Sequence, residues 1–511
     1  AVATVTVDRV GPAVAVTNLN DNAALGSDQD DDNLAPGLQY RVAASVSGQA
    51  PGSLATLIDN GNQRVQVVAG ENILFPSVTF NDGVHTIGVT ALDDAGNTST
   101  AQVENVRVDG SEPAIDIDKV RARKDKVIST LSGGLGQLAK RRKVNVITAR
   151  GTFENSTTLL LEGEDDSIPE DGKLTFDKCI LATGSSPAMP GPWQLDSDRV
   201  MDSTGALALV DIPKSLLVIG GGYIGLEMGT VYANLGTEVS VVEFADGLVP
   251  MADRDIIKPL RKKLDELFGE RIYTNTKVGS LTVTDDQVEV TFEGPALYDT
   301  RRYDRVLVSV GRRPNSANLG LENTQVKVTD RGFVECDARQ LTADPNIYAI
   351  GDIAGDPMLA HKATHEAKIA VANIAGHNEV WDHKCIPAVM FTDPEIAWAG
   401  LTENDAKANK IPYEVASYPW AASGRAQALG RTEGLTKLLV DPATSRVLGC
   451  GMVGPGAGEL IAEAVLAIEM GCEVEDITES IHPHPTLSET VMNAGEVFYG
   501  TAVEMYKPRK K

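Results

Sequence analysis

KSLLVIGGGYIGLEMGTVYANLGTEVSVVEF, residues 214–244, decides how most of this chain is read. An apolar run, Leu216–Ile219, leads into Gly220-x-Gly222-x-x-Gly225. A helical pattern follows, then a second apolar run that ends at Glu243. Each position has a mechanical reason: Gly220 permits a tight turn, Gly222 lets a pyrophosphate approach the backbone, and Gly225 lets helix and strand pack closely. The N–H groups and positive dipole end at the start of the helix suit phosphates. Glu243 stands 23 positions after Gly220, where a carboxylate takes adenine-ribose hydroxyls, so NAD is expected in preference to NADP. GGLGQLA at 133–139 imitates this fingerprint but follows helical sequence instead of a strand, and is set aside.

Three shorter pieces flank this unit. CILATGS (179–185) and VLVSVGRRPN (306–315) are apolar runs ending in small-residue turns at Gly184 and Gly311. YAIGD (348–352) delivers Asp352 at the carboxyl end of a strand, a place from which an aspartate binds a cofactor hydroxyl. Near the end, HPHPTLSETV (482–491) sets His484 between two prolines, with Glu489 five positions on. A neutral imidazole accepts a thiol proton near neutral pH, and a hydrogen-bonded carboxylate fixes its tautomer. His482 is read as a supporting residue, not a second base.

Composition bounds the rest. The 511 residues exceed one ordinary domain, and a net charge of −25 without a basic aromatic-rich groove argues against nucleic acid. No long apolar run suggests a membrane span. The five cysteines, Cys179, Cys336, Cys385, Cys450 and Cys472, show no metal-ligand spacing, so no structural metal is expected.

Composition shifts near residue 110. Residues 1–110 have no Lys, Cys, Met or Trp, and read as short alternating strands between Gly, Asn and Asp turns, the pattern of an all-β sandwich resembling bacterial immunoglobulin-like modules. VDRVGPAV (7–14) returns as VDGSEPAI (108–115), as though one unit had been cut from an array. The acidic run SDQDDDN (27–33) reads first as a solvated loop and second as a calcium loop. From residue 111 the pattern alternates strand and helix.

In this order, ATG, GGGYIG…VVEF, VGRRPN, YAIGD and HPHPTLSE resemble the pyridine nucleotide–disulfide oxidoreductases, and within them the dihydrolipoyl dehydrogenase branch, over roughly residues 112–511. The resemblance implies an α/β Rossmann-type architecture: a remnant flavin domain at 111–186, an NAD-binding domain at 187–310, a returning central segment at 311–383 and an α+β dimerisation domain at 384–511. It implies FAD and NAD as cofactors, a homodimer, the lipoyl domains of 2-oxo acid dehydrogenase complexes as partners, and a cytoplasmic setting. His484 becomes the acid/base and Glu489 its orienting carboxylate. Asp352 would hold the flavin's ribityl chain, Met358, Leu359, Ala360 and His361 would lie near the isoalloxazine, and Gly184 and Gly311 would mark the turns joining the two nucleotide domains.

The family's opening glycine fingerprint and its GG-x-C-x-x-x-x-C helix are not seen, since no two cysteines here stand five apart. The expectation is therefore a flavin domain incomplete at its start and a chain that does not by itself pass electrons from a dithiol. Two further readings stay open at this stage: a surface or binding protein that reuses an NAD module, and a junction of two unrelated genes. The first would place the N-terminal part at the cell surface.

Overall fold

The computed structural model describes residues 115–505 continuously and, before them, eight strands between Ala13 and Asp109. The acidic run at 27–33 and most of the 7–14 repeat lie outside the described residues. Contacts divide the chain into two units, Ala1–Asp116 and Ile117–Lys511.

In the first unit, Ala13–Val16, Leu38–Ser47 and Asn72–Phe80 form an antiparallel three-stranded sheet. A five-stranded sheet takes the order Ala24–Gly26, Thr98–Asp109, Gly83–Leu92, Leu54–Asp59 and Asn62–Val68. The first pair of that sheet is parallel and the other pairs antiparallel.

The second unit is organised around a parallel five-stranded sheet in the order Val200–Met201, Arg305–Val308, Ser215–Ile219, Glu238–Val242, Ile272–Tyr273. Its central strand is apolar at every position from Leu216 to Ile219, and all four side chains are buried. That continuity is what a parallel strand covered on both faces requires. Leu216 and Val218 pack with Leu226, Leu260, Leu264 and Phe268 from two helices, Tyr223–Asn234 and Arg254–Phe268. Leu217 and Ile219 face Val288, Val290 and Phe292 of an antiparallel three-stranded sheet. Each such side chain removed from water contributes on the order of 1.5–3 kcal/mol.

A second body is an antiparallel five-stranded sheet running from Ala388–Met390 to Glu414–Pro419, covered by helices Ala457–Met470 and Glu489–Tyr499. It is fixed to the nucleotide sheet through Lys437, a fully buried ammonium 2.8 Å from Asp253, 2.6 Å from Asp255 and 3.1 Å from Glu403. Burial alone would lower the Lys437 pKa, but the hydrogen bonds it donates to Asp253 and Asp255 hold it above its ordinary value.

Between them lies a thinner region. Cys179–Leu181 pairs in parallel with Ile347–Ala349 in a sheet of only two strands. Helix Ile117–Arg141 is 25 residues long with no buried residue, although Arg121 donates to the carbonyls of Leu209 and Val210. The discarded GGLGQLA lies inside this helix and forms no turn. Val127, Ile128, Leu131, Leu135 and Leu138 along it are exposed. No described helix is long and apolar enough to cross a membrane.

Candidate active site

The glycine turn is built as its spacing requires. Gly220 has φ +108°, and a Cβ there would stand 2.4 Å from the Ser309 carbonyl oxygen. At Gly225 a Cβ would meet the Gly220 carbonyl oxygen at 2.3 Å, so the helix approaches the strand as closely as glycine permits. Gly222 differs: a Cβ would meet nothing within 4 Å, and this residue opens helix Tyr223–Asn234. The turn thus presents open space and free N–H groups on the side where an anion would approach.

Glu243, at the tip of the next strand, is already engaged in a way its spacing did not announce. Gly221 N–H donates to its Oε2 at 2.6 Å and Ala245 N–H to its Oε1 at 2.7 Å. These bonds fix the carboxylate beside the turn, and each oxygen retains a lone pair for a hydroxyl donor.

Gly184 and Gly311 come together. Ser185–Pro187 and Arg312–Pro314 pair as an antiparallel ribbon, the two strands by which the chain leaves and re-enters the thin region. Asn315 N–H donates to the Gly184 carbonyl and Ala188 N–H to that of Gly311, both at 2.9 Å. Asp352 sits beside this ribbon: the Ser185 hydroxyl donates to its Oδ2 at 2.5 Å, and Arg312 Nε donates to the Ser185 hydroxyl at 2.7 Å. Behind it, buried Glu366 accepts the Gly351 N–H at 2.6 Å while buried Lys362 donates to the Gly351 carbonyl at 3.1 Å and pairs with Glu366. The backbone that carries Asp352 is therefore gripped from both sides. Met358 precedes and Leu359 caps helix Ala360–Ile374, in which Ala360 is the first residue. His361 Nε2 lies 2.8 Å from the Pro387 carbonyl.

Tyr223 connects the two areas. It follows Gly222 in the first helical turn, and burial raises its phenol's pKa, with Arg312, Glu227 and Asp352 all in electrostatic reach. Glu227, one turn on, accepts the Phe391 N–H at 2.8 Å, and burial raises its pKa above that of an ordinary carboxylate.

His484 and Glu489 form a third group. His484 Nδ1 is 2.8 Å from Glu489 Oε1, and Thr486 N–H donates to Oε2 at 2.7 Å, so both carboxylate oxygens are committed. The imidazole is 78% exposed while Glu489 is 15% exposed, which leaves Nε2 facing outward on a fixed ring. Among the described residues no hydrogen bond joins this pair to the glycine turn or to Asp352. His482 points inward, to Glu463 at 2.7 Å.

The cysteines show the opposite of activation. Burial pushes Cys179, Cys336 and Cys385 up to about 11 and Cys450 higher still, and all five are free thiols. A redox thiol needs thiolate character near neutral pH.

Ser185, Arg312, Tyr223, Glu227, Lys362, Glu366 and Glu463 were not singled out from the sequence. Ser185 adjoins Gly184, Arg312 adjoins Gly311, Lys362 adjoins His361 and Tyr223 lies inside the fingerprint, whereas Glu366 and Glu463 stand next to no marked position.

A glycine turn with a carboxylate fixed beside it, an aspartate held by a serine hydroxyl, and a histidine–carboxylate pair at the start of helix Glu489–Tyr499 are parts suited to a nucleotide-dependent oxidoreductase. Residues 48–367 match the family described as pyridine nucleotide-disulphide oxidoreductase, and residues 386–494 match its dimerisation domain. The chain belongs to this family. The first match opens at residue 48, well before the compositional break near 110. The dihydrolipoyl dehydrogenase of Haemophilus influenzae is 47% identical over 401 residues, covering 78% of this chain and 83% of the relative. That of Geobacillus stearothermophilus is 42% identical over 464 residues, covering 90% and 97%. Among solved structures, LpdA from Mycobacterium tuberculosis superposes with a TM-score of 0.69 at 26% identity, over 76% of this chain and 84% of that one. The HOCl-induced flavoprotein disulfide reductase of Escherichia coli gives 0.67 at 28% identity, over 74% and 85%.

Proposed function

We propose that the chain is an FAD- and NAD-dependent oxidoreductase of the dihydrolipoyl dehydrogenase type, in which the nucleotide and flavin half of the machinery is the part its own residues support. The observation that carries this reading is geometric: the Gly220–Gly225 turn with Glu243 fixed beside it, and Asp352 oriented by Ser185 and Arg312, stand preformed in one chain. FAD and NAD are its cofactors, and bound together they supply transfer of an electron pair as hydride.

The residues fit NAD. The open space at Gly222, the helix N-terminus behind it and the fixed Glu243 carboxylate would hold pyrophosphate and ribose. For the flavin, Asp352, oriented by Ser185 and Arg312, would hold the polar chain, with Met358, Leu359, Ala360 and His361 beside the ring system. Among the described residues no second glycine turn stands ready for the flavin's ADP half.

His484 is the acid/base of the dithiol reaction. Its Nδ1 is held on Glu489, and its free Nε2 takes or returns a thiol proton. The domains run as a flavin remnant from 111 to 186, the NAD-binding domain to 310, the central segment to 383 and the dimerisation domain from 384, which makes a homodimer; lipoyl domains are the partners. The strands before Asp109 form an immunoglobulin-like module. The five cysteines supply no redox pair, so thiol exchange requires a disulfide from outside them.

NADH-driven ferricyanide reduction and dihydrolipoamide-driven NAD reduction, measured side by side, test this division. The chain should support the first and not the second, and His484→Gln should leave the first unchanged. Dihydrolipoamide turnover that disappears in His484→Gln would overturn the statement about the cysteines.

A further inference from the structure

Two histidine–carboxylate pairs hold the loop 480–489, and the proposed chemistry uses only one. His482 is almost buried, with 7% of its side chain exposed, and both of its ring nitrogens face oxygen atoms. Nδ1 lies 2.8 Å from the Ser480 carbonyl, and Nε2 lies 2.7 Å from Glu463 Oε1. A carbonyl only accepts, so Nδ1 carries a proton. Between Nε2 and Glu463 one proton must then be shared, either as imidazolium with carboxylate or as neutral imidazole with carboxylic acid. The two forms differ only in which partner carries that proton, and both keep the hydrogen bond.

The two carboxylates come from different helices. Glu463 stands in helix Ala457–Met470 and Glu489 begins helix Glu489–Tyr499, so the short loop is fastened at both ends to separate elements of one domain. Glu489 fixes the ring of His484 directly. Glu463 has no contact with it and acts through His482, with only Pro483 between the two histidines. We propose that His482 and Glu463 are positioning residues that set where His484 presents its free nitrogen. The proposal rests on His484 being the proton acceptor.

The test follows the loop itself, so it does not depend on turnover. Hydrogen–deuterium exchange of the peptide spanning 480–490, which includes the Thr486 N–H that donates to Glu489, would be compared in the whole chain, Glu463→Ala and Glu463→Gln. The rate at which diethyl pyrocarbonate modifies His484 would be read by mass spectrometry in the same samples. Glu463→Ala leaves Nε2 of His482 unpaired and should speed exchange in that peptide about tenfold, the scale of one lost charge-assisted hydrogen bond. It should also slow His484 modification as the ring loses its place on Glu489. Glu463→Gln can donate its amide to Nε2, and should stay within about twofold of the unsubstituted chain on both measures.

If Glu463→Ala makes His482 reactive but leaves the Thr486 peptide and the His484 rate unchanged, the pair is a local packing contact and the proposal fails. It fails equally if exchange rises across the whole domain in both variants. A wrong assignment of His484 would show separately, as dihydrolipoamide chemistry indifferent to His484→Gln in an assay supplied with a disulfide, while the exchange result stood.

Discussion

The sheet around Ser215–Ile219 and the sheet formed by Cys179–Leu181 with Ile347–Ala349 are both parallel, yet one has five strands and the other two. Around the first, helices and a small antiparallel sheet cover both faces, and all four apolar residues of its central strand are buried. Helix Ile117–Arg141, held to the nucleotide unit through Ile117 and the Arg121 bonds to Leu209 and Val210, exposes Leu131 at 67% and Leu135 at 69%. A parallel sheet is stable when both faces are covered; the second meets that condition with smaller clusters, Ile347 and Ala349 against Phe153, Leu321 and Val334 on one face and Tyr348 and Ile350 against Ala370 on the other. The nucleotide turn on the first sheet is rigid and preformed. The flavin side adds polar fastenings to its smaller apolar clusters, the Lys362–Glu366 grip on Gly351 and the Arg312–Ser185–Asp352 chain.

The comparison sharpens most at Lys437, which fastens the covered sheet to the dimerisation domain. Lys437→Met would leave Asp253, Asp255 and Glu403 without the buried cation they share, and should cost about 3–5 kcal/mol in urea unfolding. A loss below about 1 kcal/mol would mean that apolar packing alone joins the bodies. Acid should act on the same cluster. Burial would raise the Glu403 pKa, but Lys437, Lys407 and Tyr413 together hold it below its ordinary 4.5. Its contribution is then present above pH 4.5 and is lost as pH falls through the lower folded value. Melting temperature followed from pH 6 downward should drop more steeply in the unsubstituted chain than in Glu403→Gln.

Two glycines offer a contrast of sign. Gly225→Ala forces a Cβ against the Gly220 carbonyl and Ser309 and should destabilise by about 1–3 kcal/mol while weakening NADH binding. Gly134→Ala, in the exposed helix with nothing within 4 Å, should stabilise by roughly 0.5–1 kcal/mol through helix propensity alone. Equal effects at the two positions would erase the distinction between the regions. Glu243→Ala removes the acceptor of two backbone N–H groups and should weaken NADH by about 1–3 kcal/mol, read by calorimetry. The smallest change is expected on the open helix: Leu131→Gln should move unfolding by no more than about 0.5 kcal/mol.

What the sequence disclosed follows from how local each signal is. The glycine turn and the HPHPTLSE dyad are contiguous, and each residue's reason to be there lies within one strand–turn–helix or one loop. GGLGQLA was separable from the true fingerprint because its neighbours carry helical spacing, and it is helix throughout. The Lys437 cluster was illegible: its carboxylates stand 34, 182 and 184 positions away, and a lone lysine in TKLLV carries no sign of burial. Ser185 and Asp352 are 167 apart and meet only because the chain leaves and returns along the paired ribbon. Glu463 looks like any acidic residue on a helix until His482 folds back onto it. Composition showed a change of character near residue 110, contacts divide the chain after Asp116, and the family match opens at 48.

The most direct measurement is an anaerobic visible spectrum of the purified chain, recorded before and after stoichiometric NADH. A band near ~450 nm that bleaches on addition is the expected result, because it requires flavin and nicotinamide held in one space. A colourless protein, or a flavin band that NADH leaves untouched, would contradict the proposed function, in which the glycine turn and the Asp352 cluster serve one flavin–nicotinamide reaction.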